Sequence, residues 1–504
     1  LSVREYPKGP IASHLLGYVG EVNEIELAKH KGAYRLGDPI GRTGVERYYE
    51  QYLRGKPGYE KLEVDATGRV LRQLGYSPPE PGADLVLSID AEVQKTAEQA
   101  LAQGIARARG QTFRETGRRF KAPAGAAVVV DPTNGQVIAI ASYPTFDLRK
   151  FVGGVEDEYF KYLNDPKNSY PLYNRAIQAA YPPGSTFKPI VATAALETGD
   201  AVRGDRYPCK TEFDIGGRPF RNWRPRNATI SVAQSLIESC DTVYYYLAVE
   251  WWQKERAREK AGRSVYEVMP DWSRRFGLGT PTGIDLPTEA KGRVPDREWK
   301  QNMWDANRKE YCRKFQRTRE RLWEDLCKTG YLWLPGDSAN MSIGQGDVTA
   351  TPMQMAMVYG AVANGGRVLE PRVALKVVRP DGAEVKQFRT RAKSVVRAKS
   401  SVFSYVRSAL RGVVTAGTAR FPYRGWPTGS IPVAAKTGSA EIAGKQPFSW
   451  FASYGPLDDP KYVTVAVVEE AGSGSQVSGP VVRRIMDEIF DLPPIPIVYG
   501  EASD

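Results

Sequence analysis

The nine residues Tyr181-Pro182-Pro183-Gly184-Ser185-Thr186-Phe187-Lys188-Pro189 leave the backbone little choice. Two prolines and a glycine end whatever precedes them, and the apolar stretch Ile190 to Leu196 calls for a helix to follow. Pro189 is tolerated only in the first turn of that helix, where a missing N–H costs little. A helix is therefore predicted to begin at or just after Ser185. Three residues apart, Ser185 and Lys188 then share one helical face. The serine hydroxyl sits at the positive end of the helix, and its own N–H is unclaimed and free to serve in an oxyanion hole.

A serine hydroxyl is a poor nucleophile until a base takes its proton. Lys188 can be that base once burial or a second cation favours its neutral form. A serine and a lysine at this spacing also occur together by chance, so the pair needs support from elsewhere. Ser239-Cys240-Asp241 follows an apolar-periodic stretch (Val232, Leu236, Ile237) and offers a second hydroxyl to relay protons. Ala434-Ala435-Lys436-Thr437-Gly438-Ser439-Ala440 is predicted to be a strand. There Gly438 removes a side chain where another backbone could approach. Lys436 supplies the second cation, and Thr437 and Ser439 supply hydroxyls for a carboxylate.

The rest of the chain suggests an α+β arrangement. Leu85 to Ile89 alternates as a strand, and Asp90 can cap a helix running to about Ala106. Residues 126–130 and 136–141 are β-branched runs joined through Asp131-Pro132-Thr133-Asn134-Gly135, a hairpin signal. A second hairpin is expected over 447–454 and 462–469, then a last helix over about 479–490. Strands from distant parts of the chain would share one sheet with helices packed on it. Tyr76 to Gly82 has the composition of a linker, and Val45 to Leu53 that of a short helix. Residues 253–330, densely charged around Trp304 and Trp323, are expected to form an exposed helical excursion, a partner-docking surface being the alternative.

At 504 residues the chain should hold two or three domains, and 41% hydrophobic residues suffice for a large core. The net charge of +12 fits either a solvated basic surface or an anionic partner. No zinc-finger, RNA-recognition or basic-zipper pattern is present, so nucleic acid is the weakest such partner. Cys209, Cys240, Cys312 and Cys327 make no C-x-x-C pair, and the two histidines, His14 and His30, lie far from them; no metal site is expected. Two disulfides with three possible connectivities, or four buried thiols, fit equally, Cys312 and Cys327 being the easiest pair to join. No apolar run reaches bilayer length. The chain opens on the polar segment after Leu1, and its native N-terminus is expected to lie outside this sequence.

A Ser-x-x-Lys, a hydroxyl triplet and a Lys-Thr-Gly strand, in this order, are the signature of the penicillin-recognising serine enzymes. The chain resembles them over nearly its whole length, and most closely the elongation-type class B penicillin-binding proteins. The 181–189 form supports this, as do Gly283-Ile284-Asp285-Leu286-Pro287, Gly344-Gln345-Gly346 with Thr351-Pro352, and Trp450-Phe451. Gly41 to Glu46 with Leu53-Arg54-Gly55 resembles the non-catalytic pedestal of that group. The resemblance implies a pedestal or dimerisation-type domain over 1–80, a transpeptidase domain over 81–492 with an antiparallel sheet and packed helices, and a tail over 493–504.

It further implies that Ser185 attacks the penultimate D-Ala carbonyl of a peptidoglycan stem peptide, with Lys188 as base, Ser239 as relay and Lys436 tuning the field. Backbone N–H groups of Ser185 and Ser439 would form the oxyanion hole. Asp241, Thr437, Gly438 and Ser439 would line the substrate, and an amine of a second stem peptide would take the acyl group. No cofactor is implied. The implied partners are β-lactams, a SEDS-type glycosyltransferase of the elongation complex, and the cytoplasmic membrane through an anchor absent from this chain, with the catalytic domain on the extracytoplasmic side. Asp241 departs from the usual Asn of the triplet; ionised, it cannot donate a hydrogen bond, and it could pair with Lys188 or Lys436 instead. The same fold also serves D,D-carboxypeptidases, β-lactam sensors and β-lactamases, although a β-lactamase should be about half as long.

Overall fold

The computed structural model describes residues 4–29 and 32–494. His30 and most of the expected tail lie outside them. Five strands form the central sheet: β1 (Gly125–Val130), β2 (Val137–Tyr143), β3 (Ala434–Ala440), β4 (Phe448–Gly455) and β5 (Tyr462–Val468). Their order is β3-β4-β5-β1-β2, antiparallel throughout. Both expected hairpins are present, and β5 joins them by pairing Val463 with Val130. The sheet thus ties residues more than 300 positions apart.

Every residue of β1 and of β4 is buried. Successive side chains of a strand point to opposite faces, so such a sheet needs cover on both sides. Helices α1 (Ala91–Arg109) and α9 (Ser478–Ile489) pack on each other and on the sheet. Asp90 caps α1 by accepting from the N–H groups of Glu92 and Val93. Helices α2 (Lys188–Thr198), α3 (Val232–Glu238) and α4 (Asp241–Lys260) carry the first two motifs. α2 is apolar all round and buried from Lys188 to Ala195, as a helix at the centre of a domain must be. Between α4 and the C-terminal half, α5 (Arg297–Thr318) and α6 (Arg321–Thr329) pack together. α7 (Pro352–Asn364) and α8 (Ser400–Thr415) complete the covering layers.

The helical excursion is narrower than the composition suggested. Residues 253–260 finish α4, whose inner face is core, and the exposed part is α5 with α6, where Trp304 is the single buried side chain. Two local expectations shift. The helix over 45–53 is two short pieces, Gly44–Tyr48 and Glu50–Leu53, broken at Tyr49. Tyr76 and Ser77 are not linker but the end of a strand, Val70–Ser77, because they pair with Glu60 and Tyr59.

The N-terminal segment is sewn onto the rest. Ala12, Leu15, Val45 and Tyr49 join the main hydrophobic core. The Tyr49 hydroxyl donates to the Asp285 carboxylate at 2.5 Å, and that carboxylate also accepts from the N–H groups of Val373 and Ala374. Burial pushes Asp285 above the usual carboxylate range, and these three donors work against that shift. Beyond this seam the hairpin Tyr59–Val64 with Val70–Ser77 stands in solvent, with Leu62, Val64, Val70, Leu71 and Leu74 all exposed.

Candidate active site

The helix predicted from the prolines begins as a single 3₁₀ turn, Gly184–Phe187, which passes directly into α2 with Pro189 in its first turn. Ser185 is the half-buried member of that turn; Gly184, Thr186 and Phe187 are buried. The turn is pressed against two other backbones. Gly184 has φ +57°, and a Cβ there would lie 2.6 Å from the Ser439 carbonyl oxygen. Its N–H donates to the Gly344 carbonyl at 2.9 Å. From the opposite side, a Cβ on Gly438 would lie 3.0 to 3.2 Å from Thr186 and Pro183. Only glycine at both positions lets the Lys-Thr-Gly strand lie alongside the nucleophile turn.

Lys188 and Lys436 are both fully buried. Lys188 Nζ donates to Asp241 Oδ1 at 2.7 Å, to the Ser239 carbonyl at 2.7 Å and to Ser239 Oγ at 3.2 Å. Lys436 Nζ donates to the same Ser239 Oγ at 2.8 Å and to the Thr437 carbonyl at 3.1 Å. One hydroxyl therefore bridges two lysine amines, one 51 positions before it in sequence and the other 197 positions after it. Asp241 supplies the anion that a buried lysine needs. Its second oxygen accepts from the Trp223 N–H at 3.1 Å. Both oxygens of Asp241 are thus engaged within the protein, Oδ1 with Lys188 and Oδ2 with the Trp223 N–H.

The two hydroxyls assigned to a carboxylate are differently disposed. Thr437 Oγ1 lies 2.7 Å from the Thr418 hydroxyl. Ser439 Oγ is buried without a hydrogen-bond partner. An orphan hydroxyl of this kind costs about 1–3 kcal/mol, recovered when an acceptor arrives. Thr418 went unnoticed in the sequence, and Gln345 was seen there only as part of a motif. Gln345 donates to the Ser439 carbonyl and accepts from the Glu441 N–H, so it braces the end of β3. Gly344-Gln345-Gly346 was visible as a motif; nothing local marks Thr418.

The cysteines are all paired. Cys209 is bonded to Cys240, the middle residue of the second motif, and Cys312 to Cys327 across α5 and α6. The reading as four thiols is corrected: each pair is brought within bonding distance by packing that no local pattern announces. Among the described residues no cluster of three or more His, Cys, Asp and Glu side chains could hold a metal ion. None of the helices among them is long and apolar enough to cross a membrane.

Residues 125–487 match the family model of the penicillin-binding protein transpeptidase domain, and residues 1–87 that of the penicillin-binding protein dimerisation domain. Among curated proteins the chain is 33% identical to peptidoglycan D,D-transpeptidase MrdA of Acinetobacter baumannii, across 95% of this chain and 65% of that one. It is 31% identical to the MrdA of Escherichia coli K12, across 97% of this chain and 71% of that one. It therefore spans about two thirds of the length of these relatives. Among solved structures it is similar to a chain of a peptidoglycan synthase complex that coordinates polymerization and crosslinking, with TM-score 0.79, 31% identity, and coverage of 98% of this chain and 77% of that one. It is also similar to penicillin-binding protein 2 of Pseudomonas aeruginosa in complex with WCK 5153, with TM-score 0.71, 28% identity and coverage of 99% and 93%. The complex of penicillin-binding protein 2 with MreC from Helicobacter pylori matches at TM-score 0.75 and 26% identity, with coverage of 97% and 79%. The three motifs sit inside the matched transpeptidase region and the relatives align over nearly all of this chain, so the chain belongs to the penicillin-binding proteins, in the group of penicillin-binding protein 2.

Proposed function

We propose that the protein is a peptidoglycan D,D-transpeptidase that cross-links stem peptides through an acyl-enzyme on Ser185 during cell elongation. One observation carries this reading. The serine turn, two buried lysines bridged by Ser239, and an unpartnered Ser439 hydroxyl meet at one place, between α2, α4 and β3.

In the resting enzyme Lys188 is paired with Asp241 at 2.7 Å. One proton must leave that pair before Lys188 can act as a base, and Lys436, sharing Ser239 Oγ, eases its departure by repulsion. The Ser185 oxygen then bonds to the penultimate D-Ala carbonyl carbon while its proton passes to Lys188. Donors at the helix start and on β3 meet the charge on the carbonyl oxygen. Collapse breaks the C–N bond, and a proton returned through Ser239 lets D-Ala leave as an amine. Thr437 and Ser439 hold the terminal carboxylate, beside the positive charge of Lys436. An acceptor amine attacks the ester, the C–O bond to Ser185 breaks, and the proton the amine loses passes through Lys188 to the departing Ser185 oxygen. A β-lactam enters the same path and stops at the acyl-enzyme.

The division into a pedestal over 1–80, a catalytic domain over 81–492 and a tail belongs to the same proposal. So do anchoring in the cytoplasmic membrane by a segment outside this sequence, an extracytoplasmic catalytic domain, and partnership with a SEDS-type glycosyltransferase and other elongation proteins. These are supported by the dimerisation-domain match and by the complexes named for the similar structures.

The test is a fluorescent penicillin, with the labelled peptide located by mass spectrometry. A stable adduct on Ser185, lost in Ser185→Ala, is the expected result. Rapid release of hydrolysed drug would replace the reading with a β-lactamase. Dimer formation from stem peptides, rather than hydrolysis or no turnover, separates a transpeptidase from a carboxypeptidase or a sensor.

A further inference from the structure

The second motif is gripped from outside by one hairpin, residues 207–230, that takes no other part in the site. Its outer strands, Tyr207–Lys210 and Asn227–Ile230, pair antiparallel, and Glu212–Ile215 pairs with Arg218–Arg221 inside them. The hairpin reaches four of the five residues from Glu238 to Thr242. The Trp223 indole N–H donates to the Glu238 carbonyl at 3.0 Å. Arg224 and Arg226 both pair with the Glu238 carboxylate, at 2.8 and 2.9 Å. Cys240 is bonded to Cys209. Asp241 gives its N–H to Asn222 Oδ1 at 2.9 Å and accepts the Trp223 N–H on Oδ2. Thr242 Oγ1 accepts the Lys210 N–H at 2.9 Å.

Ser239 is the residue left out, and its carbonyl and hydroxyl both face the lysines. It also stands at φ +58°, a left-handed conformation that a residue with a side chain adopts only when its surroundings impose it. Here the surroundings are the bonds on either side of it. Trp223 works at both ends: its side chain holds the last turn of α3, and its backbone turns Asp241 so that the other carboxylate oxygen meets Lys188.

We infer that the hairpin is a positioning clamp for the reaction, with Trp223 and Asn222 as positioning residues and the Cys209–Cys240 bond as its covalent stop. It sets the Ser239 hydroxyl between the two lysines and sets Asp241 on Lys188. None of the three side-chain groups touches the reacting atoms. The inference rests on the assignment of Ser185 as nucleophile and adds which residues outside the three motifs the rate depends on.

The experiment compares the whole chain with Trp223→Phe, Asn222→Leu and the double variant Cys209→Ala/Cys240→Ala. The second-order rate constant for labelling by fluorescent penicillin is followed across pH, and the fraction of sites labelled at completion counts the folded enzyme. A loosened clamp is expected to slow labelling by roughly two- to tenfold per site, the range of one lost hydrogen bond between neutral groups. It also frees Lys188 from its anion. Lys188 faces Asp241, Lys436 across Ser239, and the Tyr244 ring at 5.2 Å. With Asp241 displaced, the remaining charged neighbour is a cation, so the alkaline rise of the rate moves to lower pH. A hairpin that serves only stability lowers the labelled fraction and leaves the rate per site and its pH profile where they were; that result overturns the inference. Trp223→Phe keeps an aromatic ring and the backbone N–H to Asp241 and removes only the indole N–H to Glu238, so its rate per site decides the matter even if the cysteine variant does not fold. If the unaltered chain takes no label on Ser185, the functional reading fails; normal labelling with unchanged variants sinks the clamp alone.

Discussion

Two hairpins in this molecule are tied by disulfides, one to the second motif and one across its own two helices, and they could hardly be less alike. The β-hairpin at 207–230 holds Cys209 against Cys240, both about 1% exposed, one residue from Ser239 and one from Asp241. The helical hairpin α5–α6 holds Cys312 against Cys327 on a surface where Trp304 is the single buried side chain. Loop closure constrains the unfolded chain in both cases. What a disulfide does beyond that depends on what its cysteines adjoin: in one hairpin a strained serine between two lysines, in the other mixed charges in water. The same contrast runs through the N-terminal region. Residues 12–15 are seated in the core, and the hairpin at 59–77 stands free of it.

The comparison is sharpened most by Lys436→Met, which keeps the volume of the buried side chain and removes its charge. Labelling of Ser185 should slow by about three orders of magnitude with the circular dichroism unchanged, the scale of a lost group in proton transfer. An effect of only a few-fold would mean that the second cation is not needed and that burial alone prepares Lys188. Next comes Cys312→Ala/Cys327→Ala. Closure of so short a loop predicts a loss of about 3 kcal/mol at most, read as a lower melting temperature, with the labelling rate unaltered. A slower rate there would break the distinction between the two hairpins.

A further test concerns the seam. His14 is buried and lies 2.7 Å from the Pro171 carbonyl, and burial lowers its pKa to about 4. In the unfolded chain it titrates near 6.5. The unfolded state therefore binds the extra proton first. The stability due to neutral His14 is complete above pH 6.5 and is lost as pH falls from there to about 4, amounting to about 3 kcal/mol by linkage. His14→Gln should flatten that part of the stability profile; an identical slope in the variant would remove His14 as its cause. The smallest effect is expected for Leu71→Ser on the exposed hairpin, within about 0.5 kcal/mol in urea titration. A larger loss would show that this arm is packed against something the isolated chain supplies.

Much of the site was legible because its constraints are local. The prolines and glycine of 181–189 dictate a helix start, and that start puts Ser185 and Lys188 on one face. Gly438 announced a close backbone approach, and the residue that approaches proved to be Thr186 of the nucleophile turn. The two hairpins of the sheet could be placed from β-branched runs and turn residues. Asn222, Trp223 and Thr418 could not be found this way. Each acts through bonds to partners 15 to 19 positions away, and a tryptophan donating its backbone N–H leaves no trace in residue type.

By itself, then, the sequence determined where the nucleophile helix starts and where the hairpins of the central sheet lie, which residues carry chemistry, and which family signature they spell. Steric and hydrogen-bonding limits within a few residues suffice for that. Tertiary structure alone decided the pairing of the cysteines, the choice of Lys188 over Lys436 as partner of Asp241, and the burial of the Ser439 hydroxyl without a partner. Those outcomes turn on distances of a few ångström between elements far apart in the chain, which are fixed only when the core packs.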